Sequence, residues 1–198
     1  MSQIMQTEIL KKIIAAIKNM QSGRDTPIII AVDGRSGTGK STISKLLANE
    51  LSATIIISDD FYSGGTDAEW RMRTPQEKVA LCIDWRRIRS VVLEPLLHNH
   101  SVEYHPFDFK AGTGLSQEII KLESAKVIII DGAYSARPEL SDLVDIKVLV
   151  ELHDDTRRHR LLNREGSSFM DNWHSIWDEA EDYYFTQVCP PSVFDFVM

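Results

Sequence analysis

The stretch Gly34-Arg35-Ser36-Gly37-Thr38-Gly39-Lys40-Ser41 decides the fold. It matches G-x-x-x-x-G-K-[ST] in full, and phosphate chemistry accounts for each fixed position. Glycines let consecutive backbone N–H groups curl around phosphates, and the helix that follows points its positive end at the same groups. Lys40 can then reach the β- and γ-phosphates of a nucleotide, while the Ser41 hydroxyl can ligate Mg²⁺. Arg35, Ser36, Thr38 and Thr42 complete the candidate nucleotide-binding set. A chance octapeptide in a glycine-rich turn would need no particular neighbours. This one follows a continuously apolar, β-branched run, Pro27 to Val32, which reads as a buried strand, and it opens a helix at Ser41 to Leu47.

Working outward, further buried-strand signals lie at Thr54 to Ser58, Val127 to Asp131, Ile146 to Leu152 and Val193 to Val197. Strands alternating with helical patterns predict an α/β fold: a three-layer α/β/α sandwich around a mostly parallel five-stranded sheet, with a small lid. One domain over 1–198 is expected, without internal repeat or linker. Ile9, Leu10, Ile13, Ile14, Ile17 and Met20 recur at helical spacing, so residues 1–23 read as an amphipathic helix packed on that domain. Thr74-Pro75-Gln76-Glu77 has the form of a capping box and predicts a helix running through Trp85 to about Val92. Residues 101–123 alternate around Gly112-Thr113-Gly114, a hairpin-like excursion. Residues 155–170 form the expected lid, and a helix rich in acids and aromatics spans roughly Asp171 to Gln187.

The net charge of −7 speaks against a broad grip on a nucleic-acid backbone. No stretch approaches the ~20 apolar residues of a membrane span, and the N-terminus lacks a signal-peptide pattern. Cys82 and Cys189 form no CxxC pair and read as free thiols, which with the rest suggests a cytoplasmic protein. A homo-oligomer stays open.

Ser58-Asp59-Asp60-Phe61-Tyr62 follows the second strand, where residues at the carboxyl end of a parallel sheet face the ligand crevice. Asp59 is the candidate to engage an acceptor hydroxyl, whereas Asp60 reads as structural. Asp131 ends an apolar strand, a position suited to a Mg²⁺-water contact. Arg157, Arg160 and Arg164 lie at i, i+3 and i+7 on one helix face, either a solvated surface or a phosphate lid. Trp173 and Trp177, four apart, read as packing.

GRSGTGKST, SDDFY, IDW, YHPFDF, IIIDGAYS and DTRRHRLLNRE together resemble the uridine kinase-like branch of P-loop kinases, from about Ile28 to the C-terminus. That branch includes nicotinamide riboside kinase, pantothenate kinase and phosphoribulokinase. The resemblance implies transfer of the ATP γ-phosphoryl group to a hydroxyl of a small metabolite, with Mg²⁺. It places Asp59 at the acceptor hydroxyl and near the metal, and Asp131 at the end of the metal-side strand. It makes Arg160 and Arg164 lid arginines closing on the phosphates, and sets Pro191 in the loop bordering adenine. Tyr104, Phe107, Asp108 and Arg137 fall in segments that match the branch's acceptor-facing elements. One departure stands out: the branch's uridine-reading His-x-Arg element is missing, since Phe107-Asp108-Phe109 runs into Lys110-Ala111-Gly112. Uridine specificity therefore does not follow. A nucleotide-dependent switch or accessory ATPase without a small acceptor is the alternative reading.

Overall fold

The strand before the phosphate loop is β1, Ile28–Asp33, and all six of its residues are buried. Complete burial is what a β-branched run without alternation predicts, because both of its faces are covered by helices. The computed structural model describes the backbone of residues 3–198 and the side chains of 5–166 and 173–198. After β1 come β2 (Thr54–Ile57), β3 (Val102–Tyr104), β4 (Ile120–Leu122), β5 (Val127–Asp131), β6 (Ile146–Leu149) and β7 (Phe196–Val197). The main sheet has the order β2-β5-β1-β6-β7, with every neighbouring pair parallel.

The two faces of β1 feed different cores. Ile28, Ile30 and Val32 pack with Ile13 and Ile17 of the first helix, α1 (Gln3–Gln21), and with Leu47 of the second, α2 (Lys40–Leu51). Ile29 and Ala31 face the opposite layer. That layer holds α3 (Asp67–Arg71), α4 (Pro75–Leu81), the helical run of α5 (Trp85–Arg87), a π-turn (Ile88–Leu93) and α6 (Glu94–Leu97), and the later helix α8 (Ser167–Tyr183). The period of two along the strand thus builds the α/β/α sandwich. Truncating Ile29 or Ile30 to alanine would cost about 2–5 kcal/mol, as for other fully buried aliphatics.

The expected helix from Thr74 to Val92 is two helices. Thr74 caps α4 with a full capping box, Thr74 and Glu77 exchanging hydrogen bonds, but α4 ends at Leu81. There the chain trades helical bonds for pairing with residues 61–63: Ser63 N–H bonds the Cys82 carbonyl (2.8 Å) and Asp84 N–H bonds that of Phe61 (2.8 Å). The Asp84 side chain then caps α5 through the Arg87 N–H. The break pins Cys82 and Ile83 beside the SDDFY segment.

The excursion over 101–123 is a hairpin, with Val102 opposite Leu122 and an outlying Phe107–Leu115 bridge. The segment expected to act as a lid comprises α7 (Asp154–Glu165), Gly166 and the first turn of α8; side chains 167–170 lie outside those described. No described helix is long and apolar enough to cross a membrane.

Candidate active site

The parallel register brings three strand ends together. Val32 and Ile57 both pair with Asp131, so the phosphate loop, Asp131 and the Ser58–Phe61 turn share one edge of the sheet. At two of its positions the loop has no room for a side chain. A Cβ on Gly34 (φ +147°) would strike the Val150 carbonyl oxygen, and one on Gly37 would lie 2.7 Å from the Arg157 carbonyl oxygen. The Lys40 ammonium folds back onto its own loop, donating to the carbonyls of Gly34 (2.9 Å) and Arg35 (3.0 Å). Around it lies a cavity of 590 Å³ whose walls include Ser36 to Thr42, Asp59, Asp131, Arg160 and Arg164.

Asp59 is exposed to solvent in this cleft, although protein atoms crowd its carboxyl end. Desolvation raises its carboxyl above the ordinary range; Lys40 and Arg164 pull it down, and Asp131 pushes it further up. Asp131 is buried, and its Oδ1 has no hydrogen-bond partner. A buried, unpaired carboxylate oxygen facing the cavity around the loop lysine fits Mg²⁺, and Ser41 lines the same cavity. Among the described residues no group of three or more His, Cys, Asp or Glu forms a metal cage. Magnesium needs none, because it commonly binds through one or two carboxylates plus substrate phosphates.

The three arginines of α7 separate. Arg160 approaches the Thr38 carbonyl (3.4 Å), and Arg164 lines the cavity. Arg157 is buried instead and turns toward carboxylates: Asp154 at 2.6 Å, Glu181 at 3.6 Å and Asp178 at 4.0 Å. It ties α7 to α8 and, through the Ser36 carbonyl at 3.4 Å, to the phosphate loop, without lining the cavity around Lys40.

A second cavity, of 940 Å³, opens on the far side of Asp59. Tyr62, Phe107, Phe109, Trp173 and Trp177 give it aromatic walls, so the two tryptophans do more than pack. Phe109 lies nearly parallel to Tyr62, with ring centroids 5.8 Å apart. Tyr104, Asp108 and Arg137 do not line it. Tyr104 donates to Asp60 (2.8 Å), and burial followed by that carboxylate pushes its phenol well above the ordinary range. Asp108 accepts the Lys110 and Ala111 N–H groups and shapes the hairpin tip. Arg137 is buried against Glu139. A third cavity, of 710 Å³, runs beside Arg35 and Pro191.

Sequence reading missed Asp33 and Glu181. Asp33 is fully buried and accepts four hydrogen bonds, from Gly34 N (2.7 Å), Tyr134 N (3.0 Å), Ala136 N (2.9 Å) and the Tyr184 hydroxyl (2.8 Å). Burial raises its carboxyl while these donors oppose the rise. The result ties the start of the phosphate loop to the segment after β5. Glu181 accepts the Ser36 N–H at 2.8 Å and stands between Arg157 and Arg35, which also bonds Asp182 at 2.6 Å. An aspartate closing a wholly apolar strand was the available signal for the first. Glu181 gave none, being one of several acids on a helix far along the chain.

Comparison with known proteins agrees with this geometry. Residues 30–175 match the family described as AAA domain (AAA_18). A uridine kinase of Lactobacillus helveticus is 33% identical over 153 residues, covering 74% of this chain and 71% of that protein. One of Oceanobacillus iheyensis is 31% identical, covering 72% and 69%. A solved structure of a possible uridine kinase from Bacillus stearothermophilus superposes with a TM-score of 0.70 over 98% of both chains at 20% identity, which speaks to the fold. A family match over most of the chain, and curated relatives at this identity and coverage, place the chain in the uridine kinase family of P-loop kinases.

Proposed function

We propose that the chain moves the γ-phosphoryl group of ATP to a hydroxyl of a small riboside or similar alcohol. One observation carries this reading: the phosphate-loop cavity and the aromatic cavity share Ser36, Asp59, Ala133, Leu161 and Arg164. A carboxylate and an arginine therefore stand where a phosphate on one side would meet a hydroxyl on the other. A switch protein has no use for a second, aromatic-walled cavity meeting the first at a carboxylate.

ATP supplies the phosphoryl group, and Mg²⁺ neutralises charge on its phosphates. Ser41 and Asp131 would hold the metal, with Asp59 close by. Lys40, Arg160 and Arg164 are the cationic groups on the phosphate side, and electrostatic stabilisation of that kind is the largest contribution expected of such a site. Asp59 receives the acceptor's hydroxyl hydrogen and orients its oxygen. In a loose transition state this positioning matters at least as much as proton removal. Tyr62, Phe107 and the tryptophans exclude water and favour an acceptor with an apolar or flat face.

The test is an ADP-release screen over nucleosides, other ribosides, pantothenate-like alcohols and sugars. We expect negligible ATP consumption alone and a many-fold rise with one acceptor. Because the hairpin lacks the His-x-Arg element, uridine should be a poor member of the panel. Turnover independent of every acceptor would overturn the kinase reading. Selective turnover of uridine would overturn the specificity reading alone.

A further inference from the structure

The phosphate-loop cavity and the cavity beside Pro191 also meet, and they share three residues: Gln6, Thr38 and Val150. This inference rests on the donor site proposed above. With phosphates in the loop and the base in the cavity beside Pro191, where the family resemblance sets it, the ribose of the donor nucleotide would lie at that junction. Val150 offers no polar side chain there, and the Thr38 hydroxyl is already donating to the Arg35 carbonyl at 2.9 Å. Gln6 is the remaining side chain. It is half-buried, its amide makes no hydrogen bond to the described residues, and it carries both an acceptor and two donors. Ribose hydroxyls, each donor and acceptor at once, are its chemical complement.

The position of Gln6 is fixed by the same pattern that docks α1. Ile13 and Ile17 are fully buried in the core under β1, with Ile9 and Leu10 packed at its margin. Gln6 stands seven residues before Ile13, two helical turns back along the same stripe. Docking the stripe therefore points Gln6 at the junction. The family match begins at residue 30, so α1 lies outside it.

We infer that Gln6 binds the ribose hydroxyls of the donor nucleotide, making α1 part of the nucleotide site. The test is titration calorimetry without acceptor, using ATP, 2′-deoxy-ATP and 3′-deoxy-ATP on the full chain and on Gln6→Ala. Wild type should bind ATP more tightly than at least one deoxy analogue. Gln6→Ala should weaken ATP roughly threefold to tenfold, the range for one neutral hydrogen bond, and erase that preference. Alanine is a good helix former, so melting temperature should hold. Equal weakening of all three nucleotides would mean that α1 acts only by packing, and an unchanged ATP affinity would mean that Gln6 makes no contact; either overturns the inference. Failure of wild type to bind any nucleotide would overturn the donor site itself.

Discussion

The two cavities that meet at Asp59 are built in opposite ways. The phosphate side is built around one local motif: eight consecutive residues, Ser36 to Ile43, form its floor, and other elements add one to three residues each. The aromatic side is assembled from distant segments, with Tyr62 after β2, Phe107 and Phe109 in the hairpin, and Trp173 and Trp177 on α8. A site made of backbone needs a fixed short motif, whereas a site made of side chains can draw on any segment the fold brings near. The first is the same for every substrate of the superfamily. The second is where one member differs from another.

The strongest way to break this comparison is at the point of contact. Asp59→Asn should retain ATP binding and lose turnover by about 10²–10⁴, the range for a positioned base. Loss of ATP binding together with turnover would assign Asp59 to the phosphate side alone. The same variant carries a stability signature. Desolvation by the protein atoms crowded around it raises the Asp59 carboxyl above its unfolded value near 3.8. The folded state therefore holds the proton more tightly than the unfolded state, and stability falls as pH rises between the two values. Asp59 is exposed to the cleft and water screens much of that cost, so Asp59→Asn should melt only slightly higher than wild type at neutral pH and lose this difference below about pH 4. In the wild type, turnover should fall with acid at a pH above the ordinary aspartate range. An acid limb at or below 3.8 would contradict the desolvation argument.

Lys40→Ala tests the local side. Turnover should drop by about 10²–10³, the usual loss for one preorganised donor, with little change in folding. Near-normal turnover would remove the phosphate loop from the mechanism. Asp33→Ala comes next and acts on the fold. It leaves three backbone N–H groups and the Tyr184 hydroxyl without their acceptor, and should cost at least about 3 kcal/mol, read as a lower midpoint in urea. An unchanged midpoint would show that water replaces the carboxylate freely. Smallest is Phe109→Ala, a ring 62% exposed at the mouth of the aromatic cavity. It should raise the acceptor's KM roughly threefold to tenfold while leaving that for ATP alone. Equal shifts in both would mean that the cavities do not divide the substrates.

The division between local and assembled also separates what could be read in the chain from what could not. Five strands and their parallel pairing were legible because β-branched runs such as Ile28 to Val32 and Val127 to Ile130 admit few other readings. The break at Cys82–Asp84 was not, because it rests on bonds to Phe61 and Ser63, some twenty residues away in sequence. On the site, Lys40 and its loop were legible. The spacing of the α7 arginines gave their common helix face but not the carboxylates of α8 that draw Arg157 inward. Tyr104 and Asp108 fall in segments that resemble acceptor-facing elements, yet both hydrogen-bond within their own neighbourhood, to Asp60 and to the hairpin tip.

The hairpin tip has a consequence of its own. A methyl group added at Gly112 or Gly114 would meet nothing within 4 Å, although both residues sit at φ +70°. Gly112 and Thr113 nonetheless line the aromatic cavity. The tip is thus unencumbered space at the acceptor's door, remote from the main sheet and from the phosphate loop. Lengthening or rebuilding it would remodel the entrance without asking the catalytic half to move. That makes the segment from Asp108 to Gly114 the place where a lineage, or a protein engineer, can change the guest while keeping the reaction.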